Sequence, residues 1–124
     1  MVIAGALCAT ALAELGADVI KIESPTVPDM TRKLRLVESA IYEPSGVETS
    51  PVFANFNRSV RSLALDMKQP ESVDLVLRLV SVADVVIENY GPDVLERWGI
   101  GYDKLSAANP RIVMLSQPGF GHVG

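Results

Sequence analysis

Cysteine and histidine are nearly absent from this 124-residue sequence, which has one of each. The lone thiol, Cys8, cannot close an internal disulfide, which points to a reducing, cytoplasmic compartment. The lone imidazole, His122, cannot build a histidine cluster, so no metal is expected. Positive charge is also short: 11 Lys and Arg face 15 Asp and Glu, for a net charge of -4. That balance gives no general field for nucleic acid, and none is expected as a partner. The apolar opening, MVIAGALCATALAELGADVI, has no basic stretch ahead of it, so it does not read as a signal peptide. Glu14 interrupts it before it reaches membrane-spanning length, and no membrane association is expected. Repeats and long linkers are missing too.

Apolar residues, in contrast, make up 48% of the chain. That suits one domain with a real core and strands buried on both faces. Small and apolar residues from Ala6 to Leu15 predict a helix packed closely on a sheet, with Gly16 at its C-cap. Ala17 to Ile22 reads as a strand, and the prolines after Ser24 as a loop. A short helix is expected near Arg32 to Ser39. Ser50 and Pro51 suit the N-cap and first turn of a brief helix reaching Phe56. Ser62 to Leu65 is a strand. Glu71 to Val82 is a helix, since Val73, Val76, Leu77 and Val80 recur at helical spacing. Asp84 to Glu88 is a strand, and Pro92 opens a short helix ending near Trp98. Tyr102 to Ala108 is another helix, Arg111 to Ser116 the last strand, and Gly119 to Gly124 a glycine-rich loop.

Strands alternating with helices predict an α/β fold with a parallel sheet and right-handed crossovers. Doubly wound domains usually open on a strand, whereas this chain opens on a helix, so a first strand is expected to be missing from the sheet.

Several groups of residues could carry chemistry. Glu88, Asn89, Tyr90, Gly91 and Pro92 lie between a strand and a helix, where ligands bind in open parallel sheets. There Asn89 can hydrogen-bond an amide or a base, and Tyr90 can stack. Arg97 and Trp98 follow on the next helix, where Trp98 reads equally well as core. Asn57, Arg58, Arg61 and Lys68 surround one strand with only Asp66 opposing them; they could hold phosphate or form a solvated edge. Glu23 and Glu88 each end a strand and could act as an acid-base pair or as ordinary caps. Cys8 reads as packing. Asp18 and Asp84 begin strands, away from the ligand crevice, and Asp93 sits where helix capping explains it. Gly119 to Gly124 spells G-x-G-x-x-G, and Gly5 precedes a helix, a strand and Glu23. Both are partial dinucleotide fingerprints. They keep open an NAD(P)-dependent oxidoreductase, beside a non-catalytic dimerisation or binding module.

Four runs together resemble class III CoA-transferases: LAELGADVIKIE at 12–23, NRSVRSLALD at 57–66, ADVVIENY at 83–90, and NPRIV at 109–113 with the later Gly119-Phe120-Gly121. They cover nearly the whole chain, in the family's order. The family includes formyl-CoA and carnitine-CoA transferases and 2-methylacyl-CoA racemases. The resemblance implies a Rossmann-like sheet flanked by helices, incomplete here, with residues 1–124 forming the N-terminal part of a CoA-binding large domain in an interlocked homodimer. It implies acyl-CoA and a carboxylic acid as substrates and no metal. Val2 and Ile3 match positions at the pantetheine and catalytic end, Leu65 and Lys68 positions near the nucleotide. Asn89 and Tyr90 match crevice residues, and Arg97 and Trp98 the helix beside them.

In the family a carboxylate attacks the donor thioester, giving a mixed anhydride and then an enzyme-bound thioester. The resemblance puts that aspartate beyond Gly124, so no catalytic residue is assigned here and the chain alone is expected to be inactive. The sequence departs from the family pattern at Val60, where many members have lysine, at Ser24, where many have arginine, and at Ala6, where proline is common. Asn89-Tyr90 and Arg61-Ser62-Leu63 look more like transferases than racemases.

Overall fold

The computed structural model describes residues 3–33, 50–119 and 121. Helix α1 (Ile3–Glu14) is apolar all the way round, yet only Gly5, Thr10 and Ala13 are buried. It stops where expected. Gly16 takes φ +101°, its N–H donates to the Ala13 carbonyl, and the Ala17 N–H reaches back to Leu12 at 3.0 Å. These two bonds close a Schellman motif, which needs a left-handed residue.

Strand β1 (Ile20–Glu23) leads through a 3-10 turn (Met30–Lys33) to helix α2 (Pro51–Asn55). The helix expected over 32–39 overlaps that turn and otherwise lies outside the described residues. Helix α2 begins as predicted, with the Ser50 hydroxyl accepting the Phe53 N–H and proline in the first turn. Strand β2 (Arg61–Ala64), helix α3 (Pro70–Val80), strand β3 (Val85–Glu88), helices α4 (Val94–Arg97) and α5 (Tyr102–Ala108), and strand β4 (Val113–Ser116) follow.

Strand β1 pairs parallel with β2, Ile20 opposite Arg61 through Glu23 opposite Ala64. Strand β3 pairs parallel with β4, Val85 opposite Val113 through Glu88 opposite Ser116. The α/β class and the parallel pairing therefore hold. The sequence suggested one continuous sheet, but the described strands form two two-stranded ladders. Helix α3 carries the chain from β2 to a strand that does not pair with it, so alternation of elements does not by itself fix adjacency.

Both ladders nevertheless face one core. Val76 and Val80 of α3, Leu95, Ile100, Leu105 and Ile112 form its buried centre, against which Ile22 and Leu65 pack from the first half and Val86 and Met114 from the second. Strand alternation turns Ile87 the other way, toward Gly5 of α1, so helices lie on both faces. Asn109 locks the lower edge: its amide donates to the Val80 and Ala83 carbonyls while its oxygen accepts the Arg111 N–H. Cover is incomplete, since Val113 and Val85 stay 59% and 44% exposed. The strands are less buried than the apolar composition suggested.

Candidate functional site

In a parallel sheet the strands' C-terminal ends point the same way, and the loops leaving them can converge. Here β1 ends at Glu23 and β3 at Glu88.

Around Glu23 the loop is tied down by charge. Arg32 grips the carboxylate with two contacts, Nε to Oε1 at 2.7 Å and Nη2 to Oε2 at 3.1 Å. The Asp29 N–H donates to the same carboxylate at 2.9 Å. Arg32 also lies over the Phe53 ring, 3.7 Å from its centroid, with Lys21 at 4.8 Å. Lys21 pairs with Asp29 and donates to Asn57 at 2.8 Å. Asp29 accepts from the Thr31 hydroxyl and N–H. Burial works to raise the Glu23 carboxyl, but Arg32, the Asp29 N–H and Lys21 outweigh it and hold it below its ordinary value. Burial likewise opposes ionisation of Asp29, and Lys21 and Thr31 outweigh it in the same direction.

At the end of β3, Glu88 is buried, with 8% of its surface exposed. One oxygen accepts the Tyr90 N–H at 2.7 Å and the other the hydroxyl of Ser116 on β4. The Gln117 N–H donates to the Glu88 backbone carbonyl at 2.9 Å, continuing the ladder past the strand. Asn89 packs against α1, where a Cβ on Gly5 would come within 3.4 Å of its amide carbon. That is ordinary van der Waals contact, so α1 lies against the end of β3 without needing glycine there. The Tyr90 ring meets Trp98 edge-on, centroids 5.0 Å apart. The Tyr90 hydroxyl is pushed above its ordinary value by burial first, then by the negative charges of Glu88 and Asp29. Asp29 follows β1 and Glu88 ends β3, so the Tyr90 hydroxyl feels acids from both strand-end loops.

Of the positions singled out by sequence, Asn89, Tyr90 and Trp98 come together here. Arg97 is exposed at the end of α4, and Lys68 is exposed before α3; neither side chain has a hydrogen-bond or ion-pair partner among the described residues. Leu65 packs on the core, and its N–H donates to the Glu23 carbonyl at 3.0 Å. Ile3 is half-buried at the start of α1, and Val2 lies outside the described residues. His122 and most of the glycine-rich ending lie outside them as well.

Two readings change. The basic group around β2 is largely neutralised: Arg58 pairs with Glu14 and Arg61 with Asp18, each at 2.7–2.8 Å. The acids come from the last residue of α1 and from the turn that follows it, which sequence proximity alone could not reveal. Asp93 does not cap α4 through its side chain; it stands at the N-cap with φ +60° and no side-chain cap bond. The Arg32–Phe53–Lys21 arrangement had no signal in the sequence, because its members become neighbours only after folding.

An open groove of about 520 Å³ runs along β4, lined by Glu96, Tyr102, Ile112, Val113, Met114 and Ser116. It meets the strand-end constellation only at Ser116. Among the described residues no cluster of His, Cys, Asp and Glu could hold a metal ion, and no helix is long and apolar enough to cross a membrane.

Comparison with known proteins gives one direction. A sequence model described as CoA-transferase family III matches residues 1–124. The chain is 43% identical over 126 residues to a succinate–glutarate CoA-transferase of Agrobacterium fabrum, covering 99% of this chain and 30% of that protein. It is 40% identical over 124 residues to an acyl-CoA transferase of Fusarium pseudograminearum, covering 99% and 27% respectively. A crystal structure of a CAIB/BAIF family protein from Brucella suis superposes with TM-score 0.83 at 40% identity, over 99% of this chain and 32% of that one. The chain spans less than a third of the length of each of these relatives.

Proposed function

The chain belongs to CoA-transferase family III, and on that premise we propose that it is the CoA-binding portion of an enzyme that moves CoA between carboxylic acids. The observation that carries this reading is the loop leaving β3, where Asn89 packs beside α1 and the Tyr90 ring meets Trp98 edge-on. Such a crevice offers CoA what it needs. An asparagine amide can bond the amides of the pantetheine arm, and an aromatic pair gives it an apolar wall. The unpaired cations of Lys68 and Arg97 are available to phosphate. CoA would be a substrate here, held by these residues together with Ile3, Val2 and Leu65.

The chain alone is proposed to catalyse no turnover. Transfer requires a carboxylate free to reach the thioester carbonyl. Glu23 is gripped by Arg32 and Asp29 by Lys21. Glu88 is buried with both oxygens engaged. These commitments leave the best-placed acids poorly suited to nucleophilic attack. We also propose a cytoplasmic homodimer. Leu15 at 86%, Val82 at 82% and Leu7 at 49% exposure give apolar surface that association would cover. Light scattering at high concentration checks this, and a monodisperse monomer removes it.

Calorimetry with CoA tests the main reading. Wild type should bind weakly, with Lys68→Ala and Arg97→Ala each reducing affinity about tenfold, the scale of one charge-assisted contact. Equal affinity in all three would remove these cations from the site. Incubation with acyl-CoA donors and carboxylate acceptors, followed by mass spectrometry, should give no new CoA ester. Turnover abolished by Glu23→Gln or Glu88→Gln would overturn the assignment of inactivity.

A further inference from the structure

Burying a carboxylate is costly unless something in the structure uses its position. Glu88 is 8% exposed, and no Lys or Arg among the described residues forms an ion pair with it. Its two oxygens are divided between two elements. One holds the Tyr90 N–H, two residues along its own chain, and the other holds the Ser116 hydroxyl on the neighbouring strand. Glu88 and Ser116 are also register partners in the ladder. The carboxylate therefore clamps the first turn of backbone after β3 to the end of β4.

That turn carries Asn89 and Tyr90. Asn89 is seated against Gly5 of α1, and Tyr90 against Trp98 just past α4. Both side chains depend on where the backbone leaves the strand, and Glu88 bonds that backbone at the Tyr90 N–H. A strand end with no such task could carry a serine or a valine without the cost of burying a charge.

We propose that Glu88 is a positioning residue of the crevice: it sets the Asn89–Tyr90 backbone, and through it the side chains that would face the ligand. This rests on the CoA-binding reading for its ligand, though the placement of Tyr90 can be followed without one. The role is one of reach and hydrogen bonding, not of charge. Glutamine has the same length, and its amide can accept the Tyr90 N–H while donating to Ser116. Aspartate keeps the charge but is one methylene too short. A positional role therefore ranks glutamine above aspartate, and an electrostatic role ranks them the other way.

The test compares the 124-residue wild type with Glu88→Gln, Glu88→Asp and Glu88→Ala. Two readouts are used, CoA affinity by calorimetry and the emission of Trp98, the chain's one tryptophan. Glu88→Gln should match wild type in both. Glu88→Asp and Glu88→Ala should lose about tenfold in affinity, the scale of one lost hydrogen bond, with shifted Trp98 emission. With Asn89→Ala and Tyr90→Leu introduced together, the aspartate penalty should vanish, because the positioned groups are gone. A penalty undiminished in that background, or aspartate outperforming glutamine, overturns the proposal. If Glu88→Ala does not fold, the glutamine–aspartate ranking decides alone. If wild type binds no CoA, the ligand reading falls while the Trp98 emission still judges the clamp: identical spectra in all folded variants would sink it.

Discussion

Around β1 and β2 the contacts outside the core are largely polar. Lys21, Glu23, Asp29, Arg32 and Asn57 bond one another around a single ring, Phe53. Around β3 and β4 the stabilising contacts are hydrocarbon: Val76, Val80, Leu95, Ile100, Leu105 and Ile112. Both halves use the same four-residue parallel ladder. A two-stranded sheet has little stability of its own, so each is held by what surrounds it. The first half relies mainly on ion pairs, and the second mainly on hydrocarbon packing, with the Glu88 and Asn109 hydrogen bonds at its edges. The two should respond differently to pH and to mutation, while the shared core at Ile22 and Leu65 makes loss of the apolar half a loss for both.

The largest effect should come from that core. Leu105 has no exposed surface. Leu105→Ala should cost about 2–5 kcal/mol, the range for a buried leucine leaving a cavity. Urea unfolding followed by circular dichroism should show one transition moved to lower denaturant. Two separated transitions would mean that the halves do not share a core as described.

Next in size is the removal of Arg32. Its side chain and that of Glu23 are 12% and 11% exposed, so the pair is well shielded. Arg32→Met keeps much of the length over Phe53 but strands a carboxylate, at a cost of about 1–3 kcal/mol. Adding Glu23→Gln should recover part of the loss, because the stranded charge is then gone. A double variant as unstable as the sum of the singles would show that the pair is not coupled.

These contrasts bear on what could be read from sequence. The apolar half was largely legible. The spacing of Val73, Val76, Leu77 and Val80 marks a helix face, Pro70 starts it, and α5 falls where predicted at Tyr102 to Ala108. Periodicity reports burial, and burial is what holds that half. The polar half was not legible, because its contacts join residues far apart in sequence: Arg58 meets Glu14 across 44 positions and Arg61 meets Asp18 across 43. Read locally, those arginines had only Asp66 to oppose them, and a phosphate site and a solvated edge stayed equally open. The crevice residues Asn89 and Tyr90 stood out by their place after a strand. That Glu88 beside them is buried and clamped to Ser116 followed only from the register of β3 on β4.

A smaller effect separates the halves by pH. Glu23 and Asp29 are held below their ordinary values when folded. The unfolded chain then binds more protons than the folded one across the window between the two values. Their stabilisation is fully present above about pH 4–4.5, the unfolded carboxylate range, and is lost as pH falls through the depressed folded values. Wild type should therefore be more stable than a Glu23→Gln, Asp29→Asn variant at pH 7, with the gap narrowing on acidification. The Leu105→Ala deficit should stay constant over the same range. Thermal melts at stepped pH check both, and a gap that widens toward acid would reverse the sign of the argument.

The smallest effect should ignore the contrast altogether. Among the described residues, each half contains one non-glycine residue in the left-handed region: Ser59 at φ +58° before β2, and Asp93 at φ +60° before α4. A side chain there crowds its own carbonyl, at a cost of about 1–2 kcal/mol for most residues and less for asparagine and aspartate. Glycine removes the crowding but gives the unfolded chain more freedom, which returns about 0.5–1 kcal/mol of the gain. The balance for Ser59→Gly should be a stabilisation of a few tenths to about 1 kcal/mol. For Asp93→Gly it should be smaller, because aspartate tolerates the conformation and no side-chain cap bond is lost. Both gains are local to the backbone, so neither should change between low and high salt or between pH 5 and 8. Denaturant midpoints in four buffers would measure this. If Ser59→Gly stabilised only at low salt, the Arg58–Glu14 and Arg61–Asp18 pairs on either side of it would be setting the local backbone, and the charge dependence of the first half would extend to its turn.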